Sequence, residues 1–343
     1  MIAICIFLIL LLPLNIVIPM KLLTEVALPD YPFDVNHQSR ILMMGSCFTE
    51  NIGRLLERYL FPVCINPFGV TYNPLSVKKG LEALMHKETY EEKDLDLHNE
   101  RWFSFDHHTS FSAPDRTGAL DQINRSFKGA KEFLKEADLL VLTWGTSWVY
   151  RYNKTGEVVC NCHKIPASEF TRTRLSTPEI ISAYEMLLPE LFSFNRKLKI
   201  LHTVSPVRHW KEGAHGNQLS KAALLLAGEA LGRHFPEQFF YFPSYEIVMD
   251  ELRDYRFYAE DLLHMSDQTT RYIWEKFQDV LMERATMEVI GEVEVLRKML
   301  EHRPLSTGGA SDPQLRDRFQ QKLGQAREKY PHIDWKNLHQ INH

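Results

Sequence analysis

Two stretches of this chain bring together residue types that can move acyl groups. In Gly45-Ser46-Cys47-Phe48 a hydroxyl directly follows a glycine, and in Glu260-Asp261-Leu262-Leu263-His264-Met265-Ser266 a carboxylate precedes an imidazole by three residues. A serine hydroxyl is a weak nucleophile alone and needs a base within hydrogen-bond reach. An Asp three residues before a His can meet one imidazole nitrogen when both occupy one turn, which fixes the tautomer and leaves the other nitrogen pointing outward. Ser46, His264 and Asp261 thus have the composition of a nucleophile, a base and the group that orients it. Each stretch also has a plainer reading. Gly-Ser is common in turns with a satisfied hydroxyl, and a lone Asp-x-x-His often marks an exposed helix start with a surface histidine. Cys47 is a rival nucleophile, because a thiolate near a helix N-terminus is favoured, although the Phe48 beside it is compatible with a core-facing position.

The elements around these stretches weigh the readings. Ser39 to Met44 is a compact apolar run bounded by polar residues, which predicts a buried strand. Thr49 to Leu60 spaces Ile52, Leu55, Leu56, Tyr59 and Leu60 helically, with Glu50, Arg54, Glu57 and Arg58 on the other face. Ser46 therefore falls in a sharp turn at a strand's carboxyl end, where open α/β sheets place ligands and nucleophiles. Further strands are predicted at 61–65, 139–143, 198–204 and 239–242, and helices at 76–85, 121–137, 179–192 and 218–232. The unbroken apolar run Leu139-Leu140-Val141-Leu142-Thr143 implies burial on both faces, hence a parallel sheet covered on each side. The expected fold class is α/β, a three-layer α/β/α domain with a doubly wound parallel sheet. From Thr269 the pattern turns helical and more charged, with a glycine-containing break at 306–312 and a polar helix over 314–330. This predicts a helical C-terminal tail that packs on the domain or on a second subunit, with a homo-oligomer through these helices as one outcome. The Asp261 to His264 stretch follows the last strand, and that placement favours chemistry for the pair.

With 343 residues, 44% hydrophobic, 24% charged and a net charge of −4, the chain reads as one large domain and a tail, and no Lys/Arg block offers a footprint for nucleic acid. Residues 1–19 are almost wholly apolar, yet no Lys or Arg precedes them, no small-x-small site follows, and Pro13 and Asn15 interrupt the run. The expectation is a true start at Met20 and a cytoplasmic protein; the rival is a membrane anchor made of residues 1–19. Cys47, Cys64, Cys160 and Cys162 suggest no disulfide framework, and Cys160-Asn161-Cys162-His163 lacks the second cluster that a four-ligand metal site needs. Neither a metal nor another cofactor is expected. The loop Asn66 to Pro74, with two prolines and a glycine, leaves the sheet beside the Gly45-Ser46 turn. Lys87 to Gly118 is polar and irregular, and its cluster Trp102-Phe103-Ser104-Phe105-Asp106-His107-His108 is expected to serve surface packing or substrate contact.

Taken in order, Gly45-Ser46-Cys47-Phe48, the Asn66-Pro67-Phe68-Gly69 loop and Asp261-Leu262-Leu263-His264 resemble the GSCFA family, itself similar to the SGNH (GDSL-like) hydrolases. The resemblance covers about residues 20 to 280, leaving 281–343 as the tail. It implies a flavodoxin-like α/β/α fold and hydrolysis or transfer of O-acyl esters, commonly on glycans or lipids, by a Ser-His-Asp triad without metal. By motif, Ser46 matches the nucleophile, Gly69 the second-block glycine that donates its N–H, and Asp261 with His264 the last block. The third block of SGNH enzymes is Gly-x-Asn, whose Asn completes the oxyanion hole, whereas this chain reads Gly145-Thr146-Ser147. Loss of one such donor costs roughly 100- to 1,000-fold in rate, so either Ser147 or a backbone N–H substitutes or turnover is slow. Gly45 also stands where the Gly-Asp-Ser form has Asp, a departure that the GSCFA pattern shares. The expected oxyanion hole is Ser46, Gly69 and Ser147, with Asn73, Trp102, Arg208 and His209 as candidate substrate contacts. His209 and His215 compete with His264 for the role of base, but neither has an Asp at short spacing. The function expected is a serine esterase or acyltransferase. The alternatives are a catalytically weak binding protein for an acylated glycan or envelope component, suggested by the missing Asn and by Trp102 to Phe105, and a Cys47-dependent hydrolase.

Overall fold

The computed structural model describes residues 23–301 and 313–339, so the apolar leader and the break at 306–312 lie outside the described residues. Every residue of β1 (Ile41–Gly45) is buried. Alternate side chains of a strand point to opposite faces, and Ile41 and Met43 accordingly enter one core while Leu42 and Met44 enter another. The same division continues along the sheet, because an apolar run without polar alternation can be satisfied only where helices cover both faces.

The elements follow as α1 (Cys47–Arg58), β2 (Val63–Ile65), α2 (Pro74–His86), β3 (Asp96–His98), β4 (Arg101–Phe103), α3 (Arg116–Lys135), β5 (Leu139–Trp144), β6 (Trp148–Tyr152), β7 (Val158–Val159), β8 (Phe170–Arg174), α4 (Thr177–Phe194), β9 (Lys199–Val204), α5 (Gly213–His234), β10 (Phe239–Tyr241), α6 (Ser244–Glu246), α7 (Asp267–Leu281), α8 (Arg284–Glu301) and α9 (Pro313–Lys329). The central sheet has the order β10-β9-β5-β1-β2 and every pairing in it is parallel. Read from the other edge, the strands run 2-1-3-4-5 in chain order, which is the flavodoxin-like winding. The chain is thus a mixed α/β protein whose parallel five-stranded sheet is flanked by helices. Helices α2 to α5 cover the face of Leu42, Leu140 and Ile200, and α1 with α7 covers the face of Ile41, Val141 and Leu201. The strand order reverses between β1 and its neighbours, so the carboxyl end of β1 lies at the switch point where such sheets open a crevice.

Two regions differ from the sequence reading. The polar stretch after β5 is a three-stranded antiparallel sheet, order β7-β6-β8, with Trp148 paired to Arg174 and Tyr152 to Phe170. Its strands alternate large aromatic and charged residues over a buried side held by Val149 and Phe170, a weaker signal than a long apolar run. The stretch Lys87 to Gly118 contains the β3–β4 hairpin, and His107 within it is fully buried against Phe68, Tyr90 and Phe111 rather than lying on the surface. The tail has a core of its own: Val289, Val293 and Leu296 of α8 meet Leu323 and Ala326 of α9, and Leu60 at the end of α1 joins them.

Candidate functional site

Ser46 is held at the end of β1 by constraints on its neighbour. Gly45 has φ +147°, and a Cβ placed there would come within 2.2 Å of the Thr143 carbonyl oxygen, so the close approach of β1 to β5 requires glycine. The Gly45 N–H donates to Asn66 Oδ1 at 2.9 Å and the Ser46 N–H to the Thr143 carbonyl at 3.2 Å. Ser46 is then the N-cap of α1, yet its side chain makes no capping bond. The other capping serines behave differently, since Ser176 and Ser266 accept from Glu179 and Thr269 N–H groups at the starts of α4 and α7. A cap bond is worth about 1 kcal/mol. At Ser46 it is forgone, and the Oγ is buried with no hydrogen-bond partner.

Asp261 and His264 occupy a tight surface turn between Tyr258 and Met265, which bridge each other antiparallel. The turn closes through Ala259 N–H to the His264 carbonyl at 2.8 Å and places Leu262 at φ +58°. One carboxylate oxygen of Asp261 accepts the N–H groups of Leu263 and His264, each at 2.9 Å, and the other meets His264 Nδ1 at 2.6 Å. The imidazole bond first, and then the two backbone donors, hold the Asp261 carboxyl down to about 2. With Nδ1 committed as donor, Nε2 is the acceptor nitrogen.

The two pieces face one cleft of about 400 Å³, whose lining includes Ser46, Cys47, Asn73, His209 and His264. A larger cavity of about 750 Å³ lies beside the other end of α1, among Arg54, Arg58, Arg271 and Arg297, and contains neither Ser46 nor His264. The smaller cleft is the one at the carboxyl end of the sheet. Its floor is cross-tied. The Tyr72 carbonyl accepts the N–H groups of Gly145 and Thr146 at 2.8 and 2.9 Å, and Thr71 N–H donates to the Gly45 carbonyl at 3.0 Å. Lys221 of α5, fully buried, donates from Nζ to the carbonyls of Gly145 and Ser205, both at 2.6 Å. Burial, with Arg208 nearby, pushes the Lys221 ammonium down to about 7.

Several sequence candidates fall elsewhere. Ser147 is fully buried outside the cleft lining, its N–H and Oγ both engaged with Ser220 Oγ. Gly69 at φ +76° donates its N–H to the Asn66 carbonyl at 2.7 Å, because the glycine closes a turn there, and it does not line the cleft. Neither residue presents a donor beside Ser46, and the N–H of Ser46 itself, the third expected oxyanion donor, is engaged with the Thr143 carbonyl at 3.2 Å. Trp102 packs in the β3–β4 hairpin with the Arg116 guanidinium 4.0 Å over its ring, away from the cleft. Asn73 and Arg208 do line it. Cys47 lines it as well, in contrast to a core-facing position, and burial pushes its thiol up. His209 reaches the strand ends: a point one Cβ bond above Gly145 is 3.1 Å from His209 Nε2 and 3.3 Å from Ser46 Cβ. Burial, helped by Lys221, Arg172 and His264, pushes His209 down to about 4, which leaves it a neutral imidazole at pH 7. His215 is exposed in the first turn of α5 and is not part of the lining. The lining residues Trp148, Tyr150, Arg172, Trp210 and Lys211 carried no sequence signal beyond the aromatic alternation of β6. Among the described residues no cluster of His, Cys, Asp or Glu is arranged to hold a metal ion, and no helix is long and apolar enough to cross a membrane.

The fold and site describe a doubly wound α/β protein with an uncapped serine and an Asp-oriented histidine at the carboxyl edge of its sheet. The chain belongs to the GSCFA family, whose model matches residues 40–277. Among solved structures, an acetyl xylan esterase from the rumen bacterium Butyrivibrio proteoclasticus is similar at 10% identity with a TM-score of 0.35, over 74% of this chain and 65% of that one. The chain therefore spans less than two thirds of that structure. No curated protein sequence matches it.

Proposed function

We propose that the protein is a serine esterase or acyltransferase acting on O-acyl esters through Ser46, His264 and Asp261. The observation that carries this reading is that a serine at a helix N-cap, with its Oγ left uncapped, shares a cleft with a histidine whose Nδ1 is held by a carboxylate at 2.6 Å. Ser46 Oγ adds to the ester carbonyl carbon as His264 Nε2 takes its proton, and the carbonyl electron pair moves to oxygen. The alkoxide then leaves with the proton from His264, and water or an acceptor hydroxyl repeats the sequence on the acyl-serine. Asp261 fixes the His264 tautomer and stabilises the imidazolium. The developing oxyanion is received by the N–H groups of α1 ahead of Thr49, whose own N–H donates to the Ser46 carbonyl at 2.8 Å, and by the second proton of Asn73 Nδ2, whose first is held by Ser76 Oγ at 2.9 Å within the cleft lining. Asn73 thus replaces the Asn missing from Gly145-Thr146-Ser147. Ser46 Oγ makes no hydrogen bond to His264 in this structure; such contacts commonly tighten only with substrate bound.

A fluorophosphonate probe tests the assignment: it labels the wild type and not Ser46→Ala. Undiminished labelling of Ser46→Ala sinks it. The Cys47 reading has one observation in its favour, the position of the thiol in the cleft, but burial disfavours the thiolate that it requires. Full activity of Cys47→Ala ends that reading.

A further inference from the structure

The charge and surface of the cleft carry a statement about the substrate, which rests on the reading of Ser46 and His264 as the reacting groups. Three cationic side chains line it, Arg172, Arg208 and Lys211, and no carboxylate does. Arg172 is neutralised by Glu212 behind it and spends its planar face on Trp148 and Tyr150, 4.7 and 5.1 Å from the ring centres. The other two have no such partner. Among the described residues no carboxylate pairs with Arg208 or Lys211; Arg208 lies against the Met249 thioether at 3.5 Å and the Tyr258 hydroxyl, and Lys211 donates to the Tyr150 hydroxyl at 2.7 Å. Arg208 is half-buried and Lys211 exposed at the rim; a partly enclosed guanidinium without a counter-ion is an open place for an anion, and its fork matches carboxylate or phosphate oxygens in pairs. The rim adds a second feature. Trp210 is 53% exposed at the cleft, an apolar plane that water covers poorly, and it shares the lining with the donors Arg208 and Lys211. Exposed indole planes beside polar donors suit the apolar face and hydroxyl edge of a sugar ring. The cleft, about 400 Å³, is of a size that small-molecule sites have, roughly 300 to 1,000 Å³.

We propose that the acyl group is carried by an acidic sugar, whose carboxylate or phosphate pairs with Arg208 and Lys211 while its ring stacks on Trp210. The anion then anchors the sugar so that its ester lies over Ser46. Binding of unacylated sugars tests this without any turnover: methyl glucuronide, glucose 6-phosphate and methyl glucoside are titrated by NMR against the full chain. At least one of the anionic sugars should bind about tenfold or more tightly than the neutral one, as a charge-assisted hydrogen bond provides, and high salt should erase most of the difference. Which of the two binds tighter distinguishes carboxylate from phosphate recognition. Arg208→Gln and Lys211→Gln should each shrink the ratio, Arg208→Lys should retain more of it than Arg208→Gln, and Trp210→Ala should weaken all three sugars. Equal affinities in the wild type overturn the proposal, as does a preference that survives the double Gln variant, an Arg208→Lys loss as large as that of Arg208→Gln, or tighter binding to phosphatidylglycerol vesicles than to any sugar. Failure of the Ser46 labelling experiment would remove the esterase reading and leave these binding outcomes to decide anion recognition by themselves.

Discussion

The two halves of the site are built differently. Ser46 is 1% exposed, and its backbone is fixed on both sides by bonds to Thr143 and, through Gly45, to Asn66. His264 and Asp261 stand on a surface turn with about half of each side chain exposed, 51% and 48%. The order of the nucleophile comes from long-range strand contacts that the whole sheet maintains. The order of the base comes from three hydrogen bonds within four residues. Local bonds of that kind open at little cost, while the strand end opens only with the domain. In the roles proposed above, the nucleophile would sit on the part that opens least and the base on the part that opens most readily.

The largest expected effect lies on the rigid side. Ser46→Ala should lower kcat for a p-nitrophenyl ester on the order of 10,000-fold or more, since it removes the proposed nucleophile. On the mobile side, His264→Ala should lower kcat on the order of 1,000-fold or more, and His209→Ala should act mainly on KM. Among the described residues no carboxylate is paired with His209, although its Nε2 approaches Gly145 at the end of β5. Measured kcat and KM for both variants decide which imidazole is the base: if His209→Ala loses kcat and His264→Ala does not, the triad is misassigned.

The same difference explains what the amino-acid order revealed. Sheet and helices were legible because runs such as Leu139 to Leu142 are apolar without interruption, and Gly45 was legible because few residues tolerate its backbone. The Asp261 to His264 turn was legible because its bonds are local. The oxyanion donors assigned to Ser46, Gly69 and Ser147 were not, because their N–H groups are consumed by Thr143, Asn66 and Ser220, partners that only the folded chain brings near. Trp148, Arg172 and Trp210 reach one cleft from β6, β8 and the turn before α5, which no periodicity connects. Lys221 carried one faint signal, a lone cation on the face of α5 shared by Asn217, Leu224 and Gly228, all buried.

A smaller effect should come from the seam beside Ser46, where the end of β5 meets His209 and Tyr72. A Cβ on Gly145 would stand 3.1 Å from His209 Nε2, 3.2 Å from the Tyr72 carbonyl and 3.3 Å from Ser46 Cβ, so each neighbour must yield by a few tenths of an ångström. Gly145→Ala should therefore cost about tenfold in kcat/KM, through displacement of the reacting groups rather than loss of one. Unchanged kcat/KM in that variant would show that the seam tolerates movement and that the strand ends are less rigid than argued above.

The smallest effect concerns stability, and it tests whether the rigid side depends on Lys221. Its ammonium is buried and bonded only to the carbonyls of Gly145 and Ser205, the ends of β5 and β9. Burial lowers its folded value from 10.5 to about 7. Above the unfolded value neither state holds the proton. Between about 7 and 10.5 the unfolded chain holds it and the folded one sheds it, so raising the pH favours folding through that window. Below about 7 both states hold it and the contribution becomes flat. Wild-type stability from urea titrations should thus gain from this residue as pH rises from 7 to 10, with a slope of up to about 1.4 kcal/mol per pH unit. Lys221→Met should lose that slope and, because two buried carbonyls lose their donor, should be less stable by about 2 kcal/mol at about pH 7 and by progressively more as the pH rises towards about 10. Parallel curves for the two proteins would mean that Lys221 does not change its protonation on folding and that the seam is tied by geometry alone. A steeper rise in the wild type than in Lys221→Met would place a titrating group directly beneath the nucleophile's neighbour, and kcat for the variant should then fall less than for Gly145→Ala at pH 8.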